Sequence, residues 1–148
     1  MGAVSVSRMR VLGLDVGQRR IGMALSDALG LTAQPLAVLE RRGTTADLSI
    51  LGALVGRHQV ETIVVGLPLT MRGEHGPQAQ RAASFADLLR RNVSVPVKLV
   101  DERLTTVQAQ RALLETDTSR RKRKQVIDQV AAQLILQQYL DRRRAKDS

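Results

Sequence analysis

Residues 10–26 read RVLGLDVGQRRIGMALS, and this stretch indicates the fold. Its first part, Arg10 to Asp15, is rich in Val and Leu and predicts a β-strand. Gly17 to Arg20 predicts a turn, and Ile21 to Ser26 alternates loosely, which predicts a second strand. The two strands therefore form a β-hairpin, with Asp15 where the first strand meets the turn.

The rest of the chain alternates between strand and helix patterns. Apolar residues at helical spacing predict helices, and a short run that is apolar throughout predicts a central parallel strand covered on both faces. The predicted elements are a strand at Leu36–Leu39, a helix at Asp47–Arg57 with Thr44 or Thr45 as its cap, a central strand at Glu61–Gly66, a loop at Leu67–Gly76, a helix at Pro77–Arg91, a strand at Pro96–Glu102, a helix from a Thr105 cap to Glu115, and a last helix at Lys122–Leu140.

An antiparallel start followed by strand and helix in alternation predicts an α/β protein. We expect a five-stranded mixed sheet, with the first three strands antiparallel, the rest parallel, and helices on both faces. No internal repeat or linker is visible in the 148 residues. We expect one domain over residues 9–141, with flexible termini at 1–8 and 142–148.

Composition excludes several classes of protein. The chain has no Cys, which rules out disulfides, thiolate metal sites and a Cys nucleophile. Its apolar runs are far shorter than the roughly 18 residues that span a bilayer, and its first residues lack the apolar stretch of a secretory signal. We therefore expect a cytoplasmic protein with no membrane partner.

The net charge of +9 is concentrated near the C-terminus. Residues 119–148 hold nine Lys or Arg against three acids. Such a concentration favours a polyanionic partner, most simply nucleic acid, and the alternative is a solvated basic tail. Phe85 and Tyr139 are the only aromatic residues, so recognition would depend on backbone and shape more than on stacked bases.

Three acids interrupt or end apolar segments: Asp15, Glu102 and Asp128. Asp128 lies about 20° from Ile135 on a helical wheel, at the edge of the buried stripe of the last helix. A carboxylate in such a place is costly unless a partner compensates it. Each position has an ordinary alternative, such as a turn Asp or a surface ion pair. Three converging carboxylates in a basic chain indicate a divalent metal and a phosphate substrate.

Glu102 has a neighbouring acid, Asp101, and only one of the two is expected in the site. Successive residues of a strand point to opposite faces of a sheet. The ordinary alternative is that one of the two acids pairs with Arg103 or Arg10 on the surface. The basic run that precedes Asp128, including Lys122, Arg123 and Lys124, opposes the helix dipole. It is therefore expected to hold phosphates, unless it is a solvated linker.

Four segments of the chain resemble the YqgF family, also called RuvX, of Holliday-junction-resolvase-like nucleases. The similarity covers about residues 9–141, and the four motifs occur in the family's order and spacing. Gln18 departs from the pattern, because Lys is frequent at that place, and Arg19 and Arg20 would supply the missing charge. The segments are LGLDVG with RIGMA, IVVGLPL with Gly73, DERLTT, and IDQVAA with ILQ.

The resemblance implies a ribonuclease H-like fold and a metal-dependent nuclease whose three acids fall on Asp15, Glu102 and Asp128. These residues would be both catalytic and metal-binding, with two Mg²⁺ or Mn²⁺ ions. The expected activity is cleavage of branched DNA, and the alternative is maturation of the 5′ end of precursor 16S ribosomal RNA. A homodimer is expected if junctions are the substrate. The expected nucleic-acid contacts are Arg19, Arg20, Arg72, Lys122, Arg123 and Lys124.

Two further readings belong to other classes. Sugar-kinase and actin-like ATPases share this fold, but they need two such domains around a cleft. A non-catalytic module would bind nucleic acid without metal-dependent cleavage. ATP binding and metal-dependent cleavage distinguish these alternatives from a nuclease.

Overall fold

The computed structural model describes residues 10–104 and 120–147, and within the last helix it describes side chains from Asp128 to Lys146. The predicted helix from Thr105 to Glu115 lies outside the described residues. Described elements appear in the predicted order. They are β1 (Arg10–Val16), β2 (Arg20–Ser26), β3 (Ala33–Glu40), α1 (Thr44–Arg57), β4 (Val60–Leu67), α2 (Pro77–Asn92), β5 (Val97–Asp101), a 3-10 turn (Glu102–Leu104) and α3 (Arg120–Asp147).

The sheet has five strands in the order β3-β2-β1-β4-β5. The first three strands are antiparallel, and β4 is parallel to both β1 and β5. The predicted mixed sheet is confirmed. The run Ile63-Val64-Val65 is fully buried in β4, as expected for a strand with a neighbour on each side and helices on both faces.

Side chains alternate between two apolar layers because strand residues point to opposite faces. Leu12, Leu14 and Val16 of β1 pack with α1 and α2 around Phe85 and Leu89. Val11 of β1 faces the other way. It packs with residues of the neighbouring strands and of α3, namely Ala24, Val64, Val100, Ala131, Ala132, Ile135, Leu136 and Leu140.

Three predicted boundaries are wrong. β3 begins at Ala33, before Pro35, because it is an edge strand whose register shifts opposite Met23/Ala24, and edge strands accommodate Pro. α1 begins at Thr44, so Asp47 lies within its first turn. Gly43 occupies the N-cap position, and neither predicted threonine caps the helix.

The third wrong boundary is at the C-terminus. α3 extends past Leu140 to Asp147, so the predicted flexible terminus 142–148 is helical as far as Asp147. The extension packs on the sheet, because Arg143 contacts Glu61 at 3.5 Å and its guanidinium lies 5.5 Å from the Tyr139 ring. In the part of the chain described, no helix is both long and apolar enough to cross a bilayer.

Candidate active site

Asp15 lies between two glycines on neighbouring strands. In the antiparallel pair, Asp15 is opposite Gly22 of β2. In the parallel pair, Leu14 is beside Val65 of β4, and continuing this register by one residue sets Asp15 beside Gly66. Residues in register share a face, and adjacent strands are about 4.8 Å apart. Gly22, Asp15 and Gly66 therefore form a row on the face that α3 covers.

Asp128 lies over the Gly22 end of this row. A β-carbon at position 22 would overlap the backbone carbonyl of Asp128 and lie 3.1 Å from the β-carbon of Asp128. The approach is close because the neighbouring helix residues, Ala131 and Ala132, are small and fully buried. Asp128 itself is half-buried. The predicted place of Asp128 at the edge of the buried stripe is confirmed.

Glu102 lies over the opposite end of the row. A β-carbon at position 66 would be 2.6 Å from the Oε2 atom of Glu102. Both carboxylate oxygens of Glu102 are shielded from solvent. Val100 contacts α3, so strand alternation brings Glu102 to the same face. Sequence reasoning missed Gly66. An isolated glycine at the end of an apolar strand was the available signal, because it permits close approach.

The three acids thus share one face of the sheet, anchored across a row about 10 Å wide. Carboxylate oxygens are the ligands that Mg²⁺ and Mn²⁺ prefer, so the donor set fits such an ion. Among the residues that the structure describes, however, no three Asp, Glu or His side chains are close enough together to hold a metal ion as they stand. The fold supplies the donors and their placement, and metal binding remains a prediction.

Asp101 points away from this row and binds Arg103. Arg103 donates to both carboxylate oxygens, with Nε at 3.2 Å from Oδ1 and Nη2 at 2.8 Å from Oδ2. This hydrogen bonding lowers the pKa of Asp101 below its ordinary value of 3.8. For Asp101 the ordinary alternative, a surface pair with Arg103, is what the structure shows.

Arg103 also touches the loop that follows β4. A β-carbon on Gly73 would lie 2.9 Å from the Nη1 atom of Arg103, and Gly73 has a positive φ of 84°. The loop closes on itself through two backbone hydrogen bonds. The Gly73 amide donates to the Thr70 carbonyl at 2.8 Å, and the Thr70 amide donates to the Glu74 carbonyl at 2.9 Å. Beside it a surface cavity of about 530 Å³ opens against Arg81 and the first turn of α2.

Arg41 holds the hairpin turn that follows Asp15. Its Nη1 atom donates to the Gly17 carbonyl at 3.2 Å, its Nε atom pairs with Asp47 at 3.0 Å, and its guanidinium lies 5.1 Å from the Phe85 ring. Asp47 is fully buried. No sequence pattern predicts this network, because its members come from separate elements with no shared motif.

A family model described as "RuvX: Holliday junction resolvase" matches residues 9–142. The chain belongs to the RuvX family. A relative from Moorella thermoacetica, named "Putative pre-16S rRNA nuclease", is 59% identical over 134 residues, which is 90% of this chain and 96% of the relative. One of the same name from Myxococcus xanthus is 51% identical over 140 residues, covering 95% and 93%. The RuvX family is thus a nuclease family, as predicted.

A solved structure supports the fold. The structure titled "T. thermophilus RuvC in complex with Holliday junction substrate" matches with a TM-score of 0.57 and 16% identity, covering 93% of this chain and 96% of that one. At this identity the likeness concerns the fold alone. The ribonuclease H-like fold that the sequence predicted is confirmed.

The basic residues that the sequence predicts to contact nucleic acid in this RuvX-family member differ in their exposure and in their partners. Arg19 is exposed on the hairpin turn, and Arg72 is exposed on the loop after β4. Arg20 is partly buried, with its Nε atom 3.1 Å from a carboxylate oxygen of Glu40, so this arginine already has a carboxylate partner. The side chains of Lys122, Arg123 and Lys124 lie outside the described residues, so their role stays a prediction.

Proposed function

We propose that this protein is a divalent-metal-dependent nuclease that cleaves structured RNA, with Asp15, Glu102 and Asp128 as its catalytic and metal-binding residues. The observation that carries the proposal is the row of Gly22, Asp15 and Gly66. It brings carboxylates from β1, from the turn after β5 and from α3 to one face of the sheet. Three carboxylates that converge on one site need compensating positive charge, which a bound divalent ion would provide.

When bound, Mg²⁺ or Mn²⁺ supplies the activation of water and the neutralisation of charge that phosphodiester hydrolysis requires. The protein's own contribution is placement. Asp15 is fixed by strand pairing on both sides, and Glu102 is held in a buried position over Gly66. Arg19 on the hairpin turn and Arg72 on the loop after β4 are exposed near the ends of the strands that carry the site, where they can bind backbone phosphates.

The choice of RNA over branched DNA rests on the relatives. Those that are 48–59% identical to this chain over about 90% of its length carry the name of a pre-16S ribosomal RNA nuclease. Recognition by shape and backbone fits either substrate, because Phe85 and Tyr139 are the only aromatic residues. The 5′ end of precursor 16S RNA is the substrate that this argument supports.

Branched DNA is the second candidate. It is supported by the description of the family model and by the fold shared with RuvC. Cutting two symmetric strands requires two active sites, so this candidate predicts a homodimer. Light scattering checks the oligomeric state, and a monomer that cleaves stem RNA would exclude the symmetric junction reaction.

The test is a cleavage panel with Mg²⁺ and with Mn²⁺. It compares a precursor 16S RNA stem with a four-way DNA junction, a duplex and a flap, with Asp15→Asn as the control. We expect products that carry 5′-phosphate and 3′-hydroxyl ends, and loss of cleavage with binding retained in Asp15→Asn. Cleavage by Asp15→Asn at the parent rate would contradict the site. Binding without metal-dependent cleavage by the parent would support a non-catalytic module.

A further inference from the structure

Asp101 and Arg103 form a compact pair on either side of Glu102. The backbone amide of Arg103 donates to Asp101 Oδ1 at 2.9 Å. The guanidinium donates from Nε and Nη2 to Asp101 Oδ2, at 3.1 and 2.8 Å. The backbone bond closes the turn around Glu102 without the guanidinium, whose own contacts lead to a different part of the molecule.

The guanidinium of Arg103 lies against the loop that follows β4. A β-carbon on Gly73 would be 2.9 Å from Nη1, 3.5 Å from Cζ and 3.6 Å from Nη2 of this arginine. The planar group therefore covers the place where a side chain would project. Gly73 also has a φ of 84°, which residues with side chains rarely adopt. Glycine at this position thus supplies both the backbone conformation and the room for Arg103.

The loop begins level with the end of β5. The two strands are parallel, and Leu67, the last residue of β4, pairs with Asp101, the last residue of β5. Glu102 follows directly, so the loop starts beside a proposed catalytic acid. Further along the loop, the exposed Arg72 directly precedes Gly73. Arg103 therefore acts on the part of the loop that carries the arginine proposed to bind phosphate.

Open space surrounds this part of the loop. The loop borders the surface cavity of about 530 Å³ that Arg81 also lines, and Met71, beside Arg72, is 79% exposed. A segment with few buried apolar contacts has low local stability. A single well-placed contact can therefore decide where such a segment lies.

The pair with Asp101 suits Arg103 to this role. The Asp101 carboxylate already compensates its charge, so the guanidinium is a rigid, oriented group and not a free cation. A guanidinium that binds a carboxylate through two nitrogens has a fixed direction, which the flexible ammonium group of Lys lacks. Partly exposed ion pairs contribute little to stability, and these two side chains are 31% and 26% exposed. The main effect of the pair is therefore on the position of what it touches.

We propose that Arg103, oriented by Asp101, is a positioning residue that holds the loop after β4 so that Arg72 binds a backbone phosphate of the substrate near the cleavage position. The inference rests on the proposed function, which supplies the reaction, and assigns a role in it to Arg103. Arg72 contacts the substrate, and Arg103 acts through Arg72. Loss of either residue should therefore remove the same interaction.

The first experiment is a double-mutant cycle on cleavage. Single-turnover cleavage of a precursor 16S RNA stem with Mg²⁺ or Mn²⁺, at RNA concentrations below saturation, is compared in the full-length parent, Arg72→Gln, Arg103→Gln and the double variant. We expect each single variant to lose on the order of tenfold, as for one charge-assisted contact. The double variant should lose no more than Arg72→Gln alone. A loss of about 100-fold in the double variant, the product of two independent effects, would overturn the proposal.

Two variants separate position from charge. Arg103→Lys keeps the charge without the fork and should lose nearly as much as Arg103→Gln, so full activity in Arg103→Lys would overturn the proposal. Arg144→Gln is the matched control, because it removes an arginine from another surface pair, with Asp141 at 2.6 Å. It should leave cleavage unchanged. The same loss in Arg144→Gln would reduce the effect to net charge and would also overturn the proposal.

The second experiment observes the loop directly, without metal or RNA. The chain has no Cys, so Met71→Cys gives a single site for a nitroxide spin label beside Arg72. In this background Arg103→Gln should make the label more mobile by electron paramagnetic resonance, and Arg144→Gln should not. Urea denaturation should show nearly the parent's stability for Arg103→Gln, since the pair is partly exposed. An unchanged label spectrum in Arg103→Gln would refute the proposal even if cleavage falls.

Failure of the proposed function would look different. The parent would then cleave neither RNA nor DNA with Mg²⁺ or Mn²⁺, whatever the label shows, and the role of Arg72 in substrate binding would fall with it. A parent that cleaves, with losses that multiply in the double variant, would refute the role of Arg103 alone.

Discussion

Gly22 of β2 lies directly beneath Asp128 of α3, so close that a β-carbon at position 22 would overlap the carbonyl oxygen of Asp128. Two more glycines on the same face have similar neighbours. A β-carbon on Gly13 would be 2.7 Å from the β-carbon of Leu136, and one on Gly66 would meet Ile135 and Glu102. The absence of side chains at these positions lets α3 rest on the sheet and carry Asp128 to Asp15.

Gly22→Ala is therefore expected to destabilise the protein and to displace α3. The clash involves backbone, which cannot move aside as a flexible side chain can, so we expect a loss in the upper part of the 1–3 kcal/mol range for overpacking. Urea denaturation measures the change. Gly52→Ala is the matched control, since a β-carbon there has open space inside α1. It should stabilise the protein by about 0.5–1 kcal/mol. Equal effects of the two substitutions would contradict this account of α3.

Gly66→Ala is expected to impair cleavage more than binding. The new methyl group would displace the Glu102 carboxylate, whose Oε2 atom would be 2.6 Å from the added carbon. A displacement of about 1 Å at a catalytic group can cost on the order of 100-fold in rate. Single-turnover cleavage and substrate affinity, measured separately, check this. A proportional fall in both would show that Gly66→Ala disturbs the fold as a whole, and Gly52→Ala again serves as the control.

Asp47→Ala is expected to cost several kcal/mol of stability, whereas Asp87→Ala should cost little. Both aspartates pair with arginine, at 3.0 Å and 2.7 Å, but Asp47 is fully buried and the side chain of Asp87 is 66% exposed. Removing one partner of a buried pair costs about 3–5 kcal/mol, and exposed pairs contribute about 0–1 kcal/mol. Denaturant midpoints of the two variants test the contrast. Similar losses would mean that Arg41 does not depend on Asp47.

The sequence predicted most of the fold because its apolar patterns are strong. The hairpin from Arg10 to Ser26 and the buried strand around Ile63 have local signals that tertiary contacts reinforce. The start of β3 and the end of α3 were missed because long-range packing decides them. Pro35 is accommodated by a register shift on an edge strand, and residues past Leu140 remain helical where Arg143 meets Glu61.

The sequence predicts the three acids, whose catalytic role stays a prediction, but it does not predict the contacts that hold the surrounding strands and loops. Asp15, Glu102 and Asp128 each interrupt an apolar pattern, which any reading of the sequence detects. The contact between Arg103 and Gly73 depends on how two loops meet at the carboxyl edge of the sheet. Arg20 stays a predicted phosphate contact; its pair with Glu40 could not be predicted, because the two residues are twenty positions apart and no sequence pattern links them.

The pair of Asp101 and Arg103 is expected to stabilise the protein at neutral pH and to lose this effect only in strong acid. Because the folded-state pKa of Asp101 lies below its ordinary value of 3.8, its contribution is present above pH 3.8 and is lost as pH falls through the folded pKa. Asp101→Asn should therefore be less stable than the parent at pH 7, by on the order of 0.5 kcal/mol for a partly exposed pair. The difference should narrow below pH 3.8. Urea titrations at pH 7, 4 and 3 measure it, and an Arg103→Gln background should remove most of the pH dependence, since the hydrogen bonds from that side chain are its main cause. A gap that stays constant with pH would show that Asp101 acts through packing alone.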